Sequence, residues 1–261
     1  MRPYQPRPLP GAPYLVAHRG LSAKAPENTL ASFEHASDVP GIDMVELDVR
    51  LTKDEEVIVL HDRTLQRTST GNGPARHYTL EEIRRLDAGS WFHPTFANER
   101  IPTLAEVFDR IGGKLWVDVE IKSDWMHREP PGLLEKKVMD VVCQCRMEDR
   151  ILFSSFNHQL LFNIHRMKPT AMTGVLFDFL HDFGRSPSKL AERVGAKVFK
   201  CATRELNRRM VDDAHAHGIA VYVYTLNSVQ GAQRMVSYNV DGILSNNADD
   251  IVDVVKAEKQ R

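Results

Sequence analysis

The chain has 261 residues, 42% of them hydrophobic and 26% charged, and its 34 basic against 35 acidic side chains leave a formal charge of −1. This is ordinary globular composition, which excludes wholesale disorder and fibrous repeats, and the near-neutral balance argues against a dedicated nucleic-acid binder. The length would fit two small domains, or a single α/β barrel of roughly 250 residues.

Residues 1–13 hold five prolines and no continuous apolar run, so they read as an extended arm rather than a secretory signal. No later stretch approaches the ~20 apolar residues of a membrane helix, so no membrane span is expected. Cys143, Cys145 and Cys201 cannot pair off fully, and a C-x-C is neither a metal-type nor a redox C-x-x-C, which fits reduced thiols in a cytoplasm. From residue 14 onward, short apolar runs rich in β-branched residues alternate with longer stretches of helical periodicity, the pattern of βαβ units and a parallel sheet. Strands are expected at 14–18, 44–51, 57–61, 115–121, 151–155, 172–176, 197–201, 219–225 and 242–244. Helices are expected at 29–37, 104–111, 133–145, 158–167, 188–194, 207–217, 228–238 and 249–259, which makes nearly eight repeats. Thr103-Leu-Ala-Glu106 reads as a capping box, and Gly218 as the stop of the helix before it.

One interval, from His61 to Pro102, breaks the rhythm. It is polar, with a short helix near 80–86 and Trp91, Phe92 and Phe96 close together. At roughly 40 residues it is too short to stand alone, so it reads as an insertion on the barrel at about 63–101. Gly71-Asn-Gly-Pro74 reads as a turn, because Pro74 follows at once and no strand precedes the glycines.

In a parallel barrel the working residues lie at the C-terminal ends of the strands. Those ends are polar here: His18-Arg19-Gly20, Glu46-Leu47-Asp48, His61-Asp62, Glu120-Ile121-Lys122, Ser154-Ser155-Phe156 and Tyr224-Thr225-Leu226-Asn227. Glu46 and Asp48 are two apart and share a strand face, as do Glu120 and Lys122. Three carboxylates turned into a barrel repel one another, and a cation relieves them. All-oxygen ligation suits Mg²⁺ or Ca²⁺ better than zinc. A lone histidine at a strand end is more often structural, but Arg19 beside His18 and the acidic cluster near His61 favour an acid–base pair. Arg19 and Lys122 would meet an anion, one as a bidentate fork and one as a point charge. Together these groups describe phosphoryl transfer without a nucleotide, since no Walker or kinase motif is present. His215 and His217, two apart on a helix, point to different sides and read as solvated rather than as a ligand pair.

Taken in order, His18-Arg19-Gly20, Pro26-Glu27-Asn28-Thr29, Glu46-x-Asp48, His61-Asp62 and Glu120-x-Lys122 resemble the motifs of the glycerophosphodiester phosphodiesterases. The likeness runs on through Leu152-Phe-Ser-Ser-Phe156, Tyr224-Thr-Leu-Asn227 and Val240-Asp-Gly-Ile243, and with Asp87-Ala-Gly-Ser-Trp91 it is similar to the cytoplasmic bacterial subgroup. The resemblance implies a TIM (β/α)8 barrel over 14–261 with a short insertion after the His61 strand. It implies Mg²⁺ or Ca²⁺ held by Glu46, Asp48 and Glu120, with His18 and His61 as general base and acid. Arg19 and Lys122 would hold the phosphate, Glu27 and Asn28 would complete the binding loop and order the site, and Trp91 and Phe92 would cap the glycerol side. The implied partner is a small-molecule glycerophosphodiester such as glycerophosphocholine or glycerophosphoethanolamine, cleaved to sn-glycerol 3-phosphate and an alcohol. No nucleic acid is implied, and a homodimer is left open.

Two departures from the family pattern stand out. Glu55 and Glu56 follow Lys53-Asp54 where a glycine is common, which bears on the turn, and Ser245-Asn246-Asn247 stands where Thr-Asp is common, which bears on a minor rim contact. The rivals are a lysophospholipase D-like enzyme or a cyclic-phosphate-forming lyase on the same barrel, a Schiff-base aldolase using Lys122, and a non-catalytic phosphodiester-binding barrel.

Overall fold

The computed structural model describes residues 13–122 and 130–259, so residues 1–12 of the expected arm lie outside the described residues. Its strands are β1 (Tyr14–His18), β2 (Met44–Leu51), β3 (Val57–Val59), β4 (Trp116–Ile121), β5 (Ile151–Ser155), β6 (Met172–Leu176), β7 (Val198–Ala202), β8 (Ala220–Tyr224) and β9 (Gly242–Ser245). All but β3 pair in parallel in the order β1-β2-β4-β5-β6-β7-β8-β9, and β9 returns to β1, so eight strands close a TIM-type barrel. The helices are α1 (Leu30–Ser37), α2 (Leu80–Ile83), α3 (Leu104–Ile111), α4 (Leu133–Gln144), α5 (His158–Met167), α6 (Phe179–Asp182), α7 (Pro187–Val194), α8 (Arg208–Ala216), α9 (Val229–Ser237) and α10 (Ala248–Lys259). Among the described residues no helix is long and apolar enough to cross a membrane.

The stretch expected as a strand at 57–61 is not part of the ring. β3 folds back antiparallel on β2, with Val49 opposite Val59 and Leu51 opposite Val57. Only residues 52–56 separate the two strands, enough for a hairpin and too few for the dozen or so residues of a parallel crossover. At the tip Glu55 takes a left-handed backbone, φ +61°, the conformation a glycine would adopt freely, and Thr52 N still bonds Glu56 O at 3.0 Å. The turn geometry survives the missing glycine, with local strain of about 1 kcal/mol.

Alternation along the strands divides the interior from the shell. Leu15 and Ala17 of β1 and Val45, Leu47 and Val49 of β2 turn outward and pack with Phe33 of α1 and Leu104, Val107 and Ile111 of α3. Val16, Met44, Leu152, Val198, Ala220, Tyr222 and Leu244 turn inward and fill the barrel floor. Two residues later on the same inward faces stand His18, Glu46, Ser154 and Lys200, so the filling changes from apolar to polar within one pleat repeat.

The segment after β3 forms a satellite cluster in which Leu65, Ala75, Ile83, Ala88 and Ile101 bury themselves against Ile58 and Leu60. Its helix is the single turn α2, shorter than expected, closed by a Thr79–Glu82 capping box. The Thr103–Glu106 capping box expected for α3 is present in both halves. The glycine-rich stretch is a turn, in which Leu65 N bonds Gly73 O at 3.0 Å and Gly73 has φ +81°. His215 differs from its solvated expectation: its Nε2 lies 2.7 Å from Asp241 Oδ2, which also accepts from Val221 N, so it ties α8 to the barrel.

The first βα loop rests directly on α1. Gly20 has φ +79°, and a Cβ added there would lie 2.7 Å from the backbone carbon of Ser32 and 2.3 Å from its Oγ. Gly20→Ala is therefore expected to lower stability by about 2–4 kcal/mol, read as a lower urea midpoint at unchanged slope. A midpoint equal to the parent's would mean that this loop does not bear on α1.

Candidate active site

The nine residues singled out in the sequence gather at the C-terminal mouth of β1, β2 and β4. Glu46 and Asp48 of β2 and Glu120 of β4 are buried, and each offers a carboxylate oxygen within 4.8 Å of the others. Glu46 Oε2 accepts from Arg19 N at 3.0 Å, while its Oε1 is buried with no hydrogen-bond partner among the described residues. Asp48 is better satisfied: Oδ2 accepts from Asn28 Nδ2 at 2.9 Å and lies 3.4 Å from Arg19 Nε, and Oδ1 lies 2.9 Å from Lys122 Nζ. Lys122 also donates to Glu120. Arg19 and Asn28 both adopt left-handed backbones, φ +57° and +58°, so the loop that delivers them is held in a strained form.

These contacts split the carboxylates electrically. Burial, the neighbouring Asp48 and then Glu120 push the Glu46 carboxyl well above its ordinary range. Burial also works to raise Asp48, but Lys122, Arg19, His61 and the Asn28 amide outweigh it and hold it ionised. For Lys122, burial is likewise outweighed by Asp48 and Glu120, which keep the ammonium protonated beyond its usual range. A fixed ammonium is the wrong state for a Schiff-base nucleophile.

The histidines enter from different directions. His18 ends β1, and its Nδ1 meets Asn246 Oδ1 at 2.7 Å. An amide oxygen only accepts, so Nδ1 carries the proton and the Nε2 lone pair faces Glu46 Oε2, 3.8 Å away. Burial and the Arg19 charge pull the His18 pKa down to about 4, against the Asn246 bond. His61 arrives on the β3 return, where Leu60 N bonds Asp48 O at 2.8 Å and Arg50 holds the His61 carbonyl through Nε and Nη2 at 3.0 and 2.7 Å. Its Nδ1 lies 2.6 Å from Asp62 Oδ1. Burial lowers the His61 pKa as well, with Asp48 opposing.

A barrel mouth that combines these motifs matches one family over most of its length: the model for the glycerophosphoryl diester phosphodiesterase family covers residues 18–250. The chain belongs to that family. It is 37% identical over 244 residues to a glycerophosphodiester phosphodiesterase of Caldanaerobacter subterraneus subsp. tengcongensis, covering 93% of this chain and 97% of that one. It is 35% identical to a putative glycerophosphodiester phosphodiesterase of Bacillus subtilis, covering 92% and 96%. Among solved structures it is similar to an Oleispira antarctica phosphodiesterase in complex with the product sn-glycerol-3-phosphate, with a TM-score of 0.86, 29% identity and coverage of 94% and 97%.

Within this family frame, several groups beyond the nine candidates bear on the site. Asn246, flagged only as a departure at the rim, is instead the partner that sets the His18 tautomer. Asp62 orients His61, and Arg67 bridges Asp62 and Glu27. Asp118, Ser154 and Lys200 form a buried layer beneath the cluster, with Lys200 Nζ 2.5 Å from Asp118 Oδ2 and 3.0 Å from Ser154 Oγ. The spacing Asp118-x-Glu120-x-Lys122 carried a signal for Asp118, since residues two apart share a face; nothing local marked Lys200. Glu27 and Asn28 are engaged by Arg19, Arg67 and Asp48, so their bonds order the loop. Trp91 packs on Phe92, Phe92 on Phe96, and Phe96 on His35 of α1, which anchors one end of this trio to the first helix.

The orphaned Glu46 oxygen and the all-oxygen cluster fit a hard divalent cation. A carboxyl raised on folding, as in Glu46, costs stability as pH climbs above its ordinary value near 4.5, and a bound cation relieves that cost. Mg²⁺ or Ca²⁺ at about a hundredfold excess over Kd is thus expected to add about 2.7 kcal/mol, or roughly 5 °C in Tm, more at pH 8 than at pH 5. Calorimetric titration in two buffers should detect proton release on cation binding, and Glu46→Gln should reduce the release and weaken binding at least about tenfold. A Tm indifferent to both ions would remove the cation from this cluster.

Proposed function

We propose that this chain is a divalent-metal-dependent phosphodiesterase that hydrolyses glycerophosphodiesters, such as glycerophosphocholine or glycerophosphoethanolamine, to sn-glycerol 3-phosphate and an alcohol. The observation that carries the reading is the unequal backing of the two imidazoles that border the acidic cluster. His18 is backed by a neutral amide and His61 by a carboxylate. An amide-backed, desolvated imidazole stays neutral and keeps a bare Nε2, the state of a base. A carboxylate behind the other ring opposes the lowering by burial and stabilises the imidazolium once that ring takes up a proton, which suits it to be the acid. The product-bound Oleispira relative supports the substrate class.

A cation at Glu46, Asp48 and Glu120, Mg²⁺ or Ca²⁺, would supply positive charge for the phosphoryl oxygens and lower the pKa of a bound hydroxyl. Arg19 offers a guanidinium already fixed by Glu27 and Asp48, and Lys122 an ammonium at the edge of the cluster, for the equatorial oxygens. His18 Nε2 takes the proton of the nucleophile, and His61 Nε2 delivers one to the leaving oxygen. Water or the adjacent glycerol hydroxyl can serve as nucleophile with the same pair, the latter giving a cyclic phosphate. We read the chain as one barrel domain over 14–261, with 63–101 as an insertion that serves the site. Three free cysteines, one exposed, support a reducing compartment such as the cytoplasm.

The test is release of sn-glycerol 3-phosphate from glycerophosphocholine, abolished by EDTA and restored by Mg²⁺ or Ca²⁺. His18→Ala and His61→Ala are each expected to lose about 10²–10⁴-fold in kcat. With a p-nitrophenyl diester, whose leaving group needs no proton, His61→Ala should recover most of its loss and His18→Ala should not. Accumulation of cyclic phosphate alone would reassign the chain to the lyases, and turnover unaffected by either alanine would refute the two-histidine mechanism.

A further inference from the structure

Arg67 lies in the segment that follows β3, between the buried Leu65 and Thr68, and its guanidinium makes four hydrogen bonds to two carboxylates. Nη1 and Nη2 reach Glu27 Oε2 and Oε1, both at 2.8 Å, while Nε and Nη2 reach Asp62 Oδ2 and Oδ1 at 2.6 and 3.0 Å. Each carboxylate has one further partner. Glu27 Oε1 accepts from Arg19 Nη1 at 2.8 Å, and Asp62 Oδ1 lies 2.6 Å from His61 Nδ1. One planar cation therefore stands between the guanidinium at the phosphate position and the imidazole of the acid.

The geometry points to Arg67 as a positioning residue that sets the distance between His61 and Arg19, an inference that rests on the proposed phosphodiesterase reading. Glu27 and Asp62 are like charges, and without a cation between them they separate. Glu27 then turns fully onto Arg19 and draws it from the phosphate, while Asp62 loses the bonds that fix its plane and with it the plane of the His61 ring. The first change weakens substrate binding and the second slows proton delivery. A lysine cannot substitute, because one ammonium cannot hold two carboxylates in parallel forks. Arg67 is 43% exposed at its side chain, so the ion pairs add little to stability. The loop is held independently by Leu65, Ile83, Ala88 and Ile101 packed on Ile58 and Leu60.

The test compares the full-length wild type, Arg67→Ala and Arg67→Lys with glycerophosphocholine at saturating Mg²⁺, with Tm as the control for folding. Arg67→Ala is expected to keep its Tm within about 3 °C, to lose about 10- to 100-fold in kcat and to rise severalfold in KM. Millimolar guanidinium chloride, entering the exposed gap, restores at least tenfold of the loss; urea at the same concentration does not, and Arg67→Lys stays near the alanine level. Kinetic constants within twofold of wild type, or a loss that follows Tm and ignores guanidinium, overturn the role. The ¹⁵N resonances of the His61 ring give a readout that needs no substrate: a fixed Nδ1–H tautomer in wild type and an averaged pair in Arg67→Ala. Unchanged resonances overturn the positioning role whatever the substrate proves to be, whereas an inactive wild type with the expected resonance change refutes only the substrate reading.

Discussion

Four carboxylates face one narrow, water-poor space: Glu46 and Asp48 from β2, and Asp118 and Glu120 from β4, neighbouring strands in register. An unpaired buried ion costs several kcal/mol, so the arrangement persists only if opposite charge is built in beside it. The structure supplies it at two levels. Lys200 and Ser154 answer Asp118 from below, and Lys122 and Arg19 answer Asp48 and Glu120 at the rim. Three cations against four carboxylates leave one carboxyl without a lysine or arginine beside it, Glu46, whose Oε1 has no hydrogen-bond partner among the described residues and whose pKa is pushed well above its ordinary range. A divalent ion would make the mouth net positive, the sign an anionic diester requires.

The first βα loop translates that charge arrangement into geometry. It is bonded to the cluster through Arg19 N to Glu46 and Asn28 Nδ2 to Asp48, and to α1 through Ser32 Oγ to the Arg19 carbonyl. Two left-handed non-glycine residues, Arg19 and Asn28, and the closely packed Gly20 are tolerated because these bonds over-determine the loop. The hairpin β2–β3 supplies the second histidine by folding back over its own strand, so both imidazoles approach one cluster from separate chain segments. Asn246 and Asp62 then give the two rings different electrical surroundings at nearly equal bond lengths, 2.7 and 2.6 Å. That asymmetry gives two residues of one type unequal electrical backing.

Much of this was legible in the residues because strand alternation is a local rule. Glu46-x-Asp48 and Glu120-x-Lys122 had to share faces, and the run of apolar segments separated by amphipathic ones had to form a parallel sheet covered by helices. Direction and distance were not local. The run at 57–61 has the same composition as a barrel strand, and only the shortness of residues 52–56 betrayed a hairpin. Asn246 is 228 positions from His18 and Lys200 is 82 from Asp118, so neither pairing leaves a trace in spacing. The family resemblance pointed to Trp91 and Phe92 in the insertion, whereas the contact of that segment with the site groups runs through Arg67, which no local pattern marked.

By itself, then, the sequence determined which side chains could face the barrel interior, because pleat periodicity and burial act over a few residues. It determined the acidic cluster, both histidines and both rim cations, together with the family motifs they form. Which carboxylate is left without a lysine or arginine beside it, what backs each imidazole and which arginine joins the two halves of the mouth were decided only by tertiary structure. Those outcomes depend on Coulomb energies and hydrogen bonds that fall off within a few ångströms, and closure of the barrel alone brings the partners that close.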